Sequence, residues 1–505
     1  MQPQRVSVNL PLAHFQPVLS WDQATIDRLV EAAIQLAVKV GLRLDDDAEG
    51  VYLKEAARKG AKIDWGARAV MFTTADVAET IAVMRKTAPA PQPLRPLAVN
   101  KAGREQRFLV GNGGNLLFDW DSWQAKAPTI PDMVELCHWA NGADEVSDLF
   151  PVLLKGIDQR LAPIFNYALM GKYCRKKLWH EQPTEPIHVR YLDRMARVVE
   201  RHRGYWQPMQ EYEYINPPFR ISQRAIRTML ARVDSGVCRT MGIGPMSVSG
   251  MTGPVTVAGL AVTAVAEILA GLTFFRILRP GFGLNPVVAV ASLDLRTARV
   301  SFAGMHAALC NLAAWELVVR GLGVNSSCLT WYRDANEPGM QALYEFGMAQ
   351  ALFSSLLVYG TRPEIGGLCN GNMFSPHQAV MDIELVREFE ELAYGFEASE
   401  EALGIEEIFN ARFEQGVHIT TDHTLKHLKD GVPFSRFLLR GLPGGAQHDK
   451  NRTQTDELME KAAEAVNSAK RKGREMPPDK ALGLELYEHV KQAAAELGIE
   501  APSLP

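Results

Sequence analysis

Between about residues 105 and 440, short apolar runs alternate with helix-like stretches, and this alternation constrains the fold more than any other feature of the chain. Repeated strand-then-helix units build a parallel sheet, because parallel neighbours need a crossover long enough to hold a helix. The clearest strand candidates are GYWQPMQEYEY (204–214), VCRTMGIG (237–244), NPVVAVASL (285–293), NSSCLTWY (325–332) and SSLLVYG (354–360), each followed by a helical pattern. Further candidates near 108–118, 148–155, 163–170 and 416–420 bring the total to about eight or nine, enough for a closed (β/α)8 TIM-type barrel spanning 101–445.

The flanks read differently. Residues 1–100 form an N-terminal helical extension: Ser20 and Gln23 make a capping-box pattern, and Ile26, Leu29, Val30, Ala33, Ile34, Ala37 and Val40 recur at helical spacing before Gly41. The proline-rich APAPQPLRP then serves as a linker. Residues 446–505 form a charged C-terminal helical tail suited to packing or to a homo-oligomer contact.

Composition excludes several classes. The 505 residues are 47% hydrophobic and 22% charged, as in an ordinary globular protein. A formal net charge of −4 lacks the basic excess of a nucleic-acid binder or of a protein held on an anionic membrane. The uncharged stretch between Arg239 and Glu267 is no membrane span, because glycines and prolines punctuate its first half and Glu267 interrupts its helical half. Six scattered cysteines without C-x-x-C point to a reducing cytoplasm, and the N-terminus lacks a secretory pattern.

Chemistry on such a barrel belongs where strands end. At the end of one strand, Glu211 and Glu213 share one face while Tyr212 and Tyr214 share the other. Acids turned inward would offer countercharge to a cation; aromatics turned inward would offer π faces, and the pattern alone fits both. Trp331 and Tyr332 end another strand, and Asp294 ends SLDLRT, either as a site carboxylate or as the partner of Arg296 or Arg299. His423 and His427, four apart, make a weak metal face that lacks the H-E-x-x-H glutamate and a third ligand, so no metal site is expected.

At these residues the sequence resembles the corrinoid-dependent trimethylamine methyltransferase family, including its glycine betaine and other quaternary-amine members. The resemblance runs through LSWDQATIDRLVEAAIQLAVKVGLRL, GPMSVSGMTGPVTVAGLAVTAVAEILAG, SLDLRTARVSFAGMHAAL, ANEPGMQALYE and HITTDHTLKHL. It implies a barrel enzyme that moves a methyl group from a small methylated amine to cobalt(I) of a corrinoid carried on a separate protein. Trimethylamine-type members carry pyrrolysine inside the barrel, and this chain has none, which favours a quaternary, betaine-like donor over a tertiary amine; a sulfonium donor is the nearest alternative. No histidine here has the D-x-H-x-x-G context of a corrinoid carrier, so the corrinoid is expected on a partner. The residues assigned on this reading are Asp294, His306 and His423 for catalysis, and Trp331, Tyr332, Glu211, Tyr212, Glu213 and Phe302 for the substrate. The competing readings are a non-catalytic barrel that binds a methylated ligand or a corrinoid protein, and a zinc enzyme activating a thiol on the same fold.

Overall fold

The computed structural model describes residues 21–45, 49–87, 108–110, 114–207, 209, 212–328, 332–356, 364–394, 399–412, 417–431, 437 and 454–505. The N-terminal part runs α1 (Gln23–Val40), β1 (Leu42–Asp45), α2 (Val51–Arg58), β2 (Lys62–Asp64), β3 (Ala69–Met71) and α3 (Thr74–Thr87). Next come β4 (Phe108–Val110), β5 (Leu116–Asp119), β6 (Gln124–Lys126), α4 (Ile130–Gly142), β7 (Val146–Leu149), α5 (Ala162–Tyr173), β8 (Lys177–Leu178) and α6 (Pro186–Arg203). The central part holds β9 (Tyr212–Ile215), β10 (Arg220–Ser222), α7 (Gln223–Asp234), β11 (Thr240–Pro245), β12 (Ser247–Ser249) and α8 (Val257–Leu278). It continues with β13 (Gly283–Val288), β14 (Val290–Asp294), β15 (Arg299–Ser301), α9 (Met305–Glu316), β16 (Ser327–Cys328) and α10 (Met340–Leu356). Then follow β17 (Glu364–Ile365), β18 (Gly367–Leu368), β19 (Met373–Phe374), α11 (Pro376–Tyr394), α12 (Glu400–Leu403), α13 (Ile405–Asn410), α14 (Asp422–Gly431), α15 (Gln454–Arg474) and α16 (Lys480–Leu497).

The fold is mixed α/β, and its heart is two all-parallel arcs, β17-β4-β7-β8 and β9-β11-β13-β16. Their eight strands follow chain order, and the last, β17, pairs with the first, β4. Among the described residues no ladder joins β8 to β9 or β16 to β17. Side chains and loops bridge both places: Gln182 Nε2 donates to Glu213 Oε2 at 3.2 Å across the first. Across the second, Cys369 N donates to the Ala335 carbonyl at 2.9 Å and Asn370 N to that of Arg333 at 2.6 Å. Two small sheets, β12-β14-β15 and β18-β19-β5-β6, continue past the C-terminal ends of β11, β13, β17 and β4 and build up that rim.

The helix layer divides into two apolar clusters. Outside the second arc, α8 is buried against α1, α3 and α9; outside the first, α4, α5 and α6 pack with α11, α15 and α16. α8 is long and apolar enough to cross a membrane, yet most of it lies inside the protein. Burial on every side explains its lack of a polar face. Its Gly271 allows close packing, since a Cβ there would lie 2.9 Å from Ile243 and 3.0 Å from Ile215.

Several expectations need correcting. α1 starts at Gln23 with Asp22 as its cap, the Asp22 carboxylate accepting from Thr25 N at 2.7 Å. The N-terminal part is not purely helical: β1, β2 and β3 form a sheet with β10. Residues 163–170 lie in α5 rather than in a strand; Pro163 sits in its first turn, and burial on all sides removes the amphipathic signal. Residues 417–420 form a 3-10 turn, and Ser354–Leu356 close α10, with 357–360 outside the described residues. The linker expected before residue 100 also lies outside them.

Candidate active site

Strand register decides which side chains face the interior. On β9 and β11, Ile215 and Ile243 join the helix-side core, and Glu213 meets Arg232 of α7 at 2.7 Å and the Thr228 hydroxyl at 2.7 Å. Alternation then turns Tyr212 and Tyr214 inward, beside Gly242, Gly244 and Asn285 in register. A Cβ on Gly244 would come within 3.4 Å of the Tyr214 ring, so the bare glycine leaves that ring its place. In the other arc Leu149, Leu178 and Ile365 belong to the helix-side core, which turns Asp148, Lys177 and Glu364 inward; all three are the next-to-last residues of their strands.

These inward groups converge. Tyr212 and Tyr214 meet edge to face with centroids 5.5 Å apart, and Phe302 meets Tyr332 in the same way at 5.1 Å. The Tyr214 hydroxyl is hydrogen-bonded to those of Tyr212 and Tyr332. Burial pushes the Tyr212 hydroxyl up to about 12 and raises Tyr214 and Tyr332 strongly, and the nearby Glu364 carboxylate adds to the rise at all three. The phenols are therefore neutral at physiological pH, and Glu364 on one arc lies close to tyrosines of the other. All five side chains keep some accessible surface despite this depth.

Tyr332 and Phe302 are held by a clamp. Arg333, fully buried, forks onto Asp382 of α11 at 2.9 and 2.7 Å and lies 4.4 Å from the Phe346 ring centroid. Asp382 also accepts from Gly366 N at 2.7 Å and from Gln378 at 2.7 Å, which leaves neither buried charge alone. Asp334 accepts from Phe302 N at 2.9 Å and from the Ser301 hydroxyl, and Glu345 of α10 accepts from the amides of Asp334 (2.9 Å) and Ala335 (3.0 Å).

Of the residues expected from sequence, the structure brings together Tyr212, Tyr332 and Phe302. Glu213 faces outward to Arg232. Asp294 sits at the exposed end of the β14–β15 hairpin, where hydrogen bonds from the Arg296 side chain and amide hold its carboxyl below the usual range. His306 Nε2 lies 2.9 Å from both the Ser249 hydroxyl and the Val255 carbonyl at the start of α9. His423, on α14, contacts the Glu401 carbonyl at 3.0 Å and the His427 ring at 4.4 Å between centroids. Glu211 and Trp331 lie outside the described residues. Sequence reading passed over Glu364, Asp148 and Lys177, which occupy strands of two to four residues too short to show a period. No group of three or more His, Cys, Asp or Glu side chains suited to a metal occurs among the described residues.

On the turns and helix starts beyond the C-terminal strand ends, the rim exposes Trp123, Met251, Val255, Leu295, Met305, Met340 and Tyr344.

Comparison with known proteins finds likenesses in both sequence and structure. The family model described as Trimethylamine methyltransferase (MTTB) matches residues 2–432. Trimethylamine methyltransferase MttB1 of Methanosarcina acetivorans is 24% identical over 302 residues, 55% of this chain and 56% of that protein. MttB of Desulfitobacterium hafniense is 24% identical over 215 residues, 42% of each. The chain thus spans about half the length of the curated relatives it matches. Among solved structures, the monomethylamine methyltransferase MtmB of Methanosarcina barkeri aligns over 95% of this chain and 89% of its own, with 10% identity and a TM-score of 0.45.

Proposed function

The chain belongs to the trimethylamine methyltransferase family, and from that membership we propose that it is a methyltransferase taking a methyl group from a small quaternary, betaine-like amine. The acceptor in this reading is cobalt(I) of a corrinoid borne by a partner protein, which supplies the nucleophile. The observation that carries the substrate assignment is the convergence of Tyr212, Tyr214, Tyr332 and Phe302 with the Glu364 carboxylate in the interior. Neutral aromatic rings beside a carboxylate hold an onium ion without offering it a proton or a nucleophile. We also propose that the two arcs close into a (β/α)8 barrel, which the chain-order pairing and the β17–β4 ladder support.

The work left to the protein is positional. A quaternary nitrogen departs as a neutral amine, so no general acid is required. The tyrosines and Glu364 keep the cationic end deep, the surrounding wall excludes water, and a methyl group is presented toward the mouth. The apolar rim then receives the corrinoid-bearing partner, with His306 at the start of α9 and Asp294 at the end of β14 on the side it approaches. Among the described residues Cys137, Cys174, Cys238, Cys310 and Cys369 form no disulfide, which suits a reducing compartment.

The test is anaerobic incubation of the full chain with reduced corrinoid, free and protein-bound, and a panel of quaternary amines, tertiary amines and sulfonium compounds, followed by the corrinoid spectrum. Methylation of cobalt by a quaternary amine is the expected result. Methylation by tertiary amines or sulfonium compounds alone reassigns the donor, and none with any donor and a cognate carrier overturns the reading.

A further inference from the structure

Two cysteines meet where α4 packs against the end of α5, and the chain around them is held so that they face each other. Cys137 and Asn141 are four apart on α4 and so share one face of that helix. Asn141 clasps the backbone on both sides of Cys174: its Nδ2 donates to the Tyr173 carbonyl at 2.9 Å, and its Oδ1 accepts from Arg175 N at 2.7 Å. One turn away on the same face, the Cys137 thiol donates a hydrogen bond to Cys174 Sγ. Neither cysteine has exposed surface, and both belong to the apolar cluster outside the first arc.

The two thiols are not equivalent. Burial and the hydrogen bond that it donates push Cys137 well up. At Cys174 burial acts in the same direction, but hydrogen bonds from Cys137 and from Lys176 N, with the Arg203 and Lys176 cations nearby, outweigh it and hold this thiol below its ordinary value. A thiolate is the nucleophilic form of cysteine, and a second thiol in contact with it converts an oxidised sulfur into a disulfide.

From this contact we propose that Cys137 and Cys174 form a redox-active dithiol, a modification site at which hydrogen peroxide joins α4 to the end of α5 through a disulfide. In the first step the Cys174 sulfur attacks a peroxide oxygen. The O–O bond breaks, Cys174 becomes a sulfenic acid, and the departing hydroxide leaves as water with the proton that Cys174 gave up. In the second step the Cys137 sulfur attacks Cys174 Sγ; the S–S bond forms as the S–O bond breaks, and the hydroxide leaves as a second water with the Cys137 proton. Two electrons pass from the paired sulfurs to the peroxide, and a dithiol reductant returns them. α15 packs over α4 and α16 over α5, so the oxidant enters by local opening of these helices. The assignment is independent of the donor and acceptor of the methyl group.

The experiment exposes the reduced full chain, freed of reductant, to hydrogen peroxide. Samples taken over time are unfolded in an alkylating reagent, and peptide mass spectrometry follows each cysteine. The expected first product is a peptide pair linked through Cys137 and Cys174, two hydrogens lighter than the reduced pair and restored by dithiothreitol. It should form about tenfold or more faster than Cys310 is oxidised, since Cys310 is as deeply buried but burial raises its thiol to about 11. In Cys137→Ser, Cys174 should stop at the sulfenic acid, which dimedone traps; in Cys174→Ser, Cys137 should stay reduced. Near-UV circular dichroism checks each variant, and the wild-type time course decides the matter where a variant fails to fold. Oxidation of Cys174 and Cys310 at one rate, oxidation of Cys174 without the bridge, or a pair still reduced after the partly exposed Cys369 has been oxidised overturns the dithiol.

Discussion

Glu213 and Tyr214 are adjacent, and one rests against a helix while the other lines the interior. The alternation itself was legible, because acids and aromatics occupy opposite parities in EYEY. Which parity faces in was not legible, because it depends on Arg232, a buried cation on α7 that only an outward Glu213 can meet. Glu364 escaped for another reason: β17 is two residues long, and the apolar run before it offered a more convincing strand. At this scale the cage makes a direct prediction. Tyr332→Ala should lower kcat/KM for the proposed onium donor about tenfold by removing one π face and the support of Phe302, whereas Tyr332→Phe should cost only a few-fold. Glu364→Gln should raise KM more than it lowers kcat. Steady-state kinetics check both, and an unchanged kcat/KM in Tyr332→Ala would take the cage out of the site. Asp294→Asn serves as a comparison, because kinetics unchanged by it would leave Asp294 to its hairpin.

At the scale of elements, the segment after β16 is positioned by groups that come from α10 and α11. Its own sequence, Tyr332-Arg333-Asp334, announced a rim, but the partners Asp382 and Glu345 lie far along the chain, and no local pattern ties them to it. Asp382→Asn strips the charge from a fully buried pair and leaves the Arg333 guanidinium unneutralised, which costs about 3–5 kcal/mol for such pairs. Because Asp382 also holds Gly366 N beside β17, the same change should loosen Tyr332 and Glu364 together. The expected result is a lowered thermal midpoint with a loss in kcat/KM larger than the fraction unfolded explains. A second element-level contact joins α4 to α15, where a Cβ on Gly473 would fall 1.8 Å from the His138 carbonyl and one on Gly142 1.9 Å from that of Ala469. Gly473→Val must push the helices apart, destabilising by about 1–3 kcal/mol. Limited proteolysis should then release the C-terminal helices before the strands of the two parallel arcs; cleavage with the wild-type order would contradict this packing.

Across the whole molecule, the alternation of runs carried the α/β architecture, while the closing features are long-range and left no local trace: β17 against β4, the bridge from Gln182 to Glu213, and β10 against β1. The same burial that makes α8 the centre of one half stores a pH dependence. Glu267 on α8 has no exposed surface and accepts from Phe219 N at 2.8 Å and the Ser247 hydroxyl at 2.5 Å. Burial outweighs these hydrogen bonds and raises its carboxyl to about 7. Glu181 behaves alike, raised to about 7 by burial against the opposing hydrogen bond from Asn166. For an acid raised in the folded state, the native form binds the proton more tightly than the unfolded chain. Its contribution is therefore most favourable below the unfolded value near 4.5 and is lost as pH climbs from there to about 7. For each group this amounts to something on the order of 3 kcal/mol at most. Glu267→Gln keeps an acceptor for Phe219 N and a group that can bond the Ser247 hydroxyl, but it has no charge to bury. The variant should thus be at least as stable as wild type at pH 8 and less favoured relative to it at pH 5, giving a flatter thermal midpoint between those limits. Parallel curves for the two proteins would mean that Glu267 is ionised in the folded state throughout, with the packing around α8 supplying the compensation.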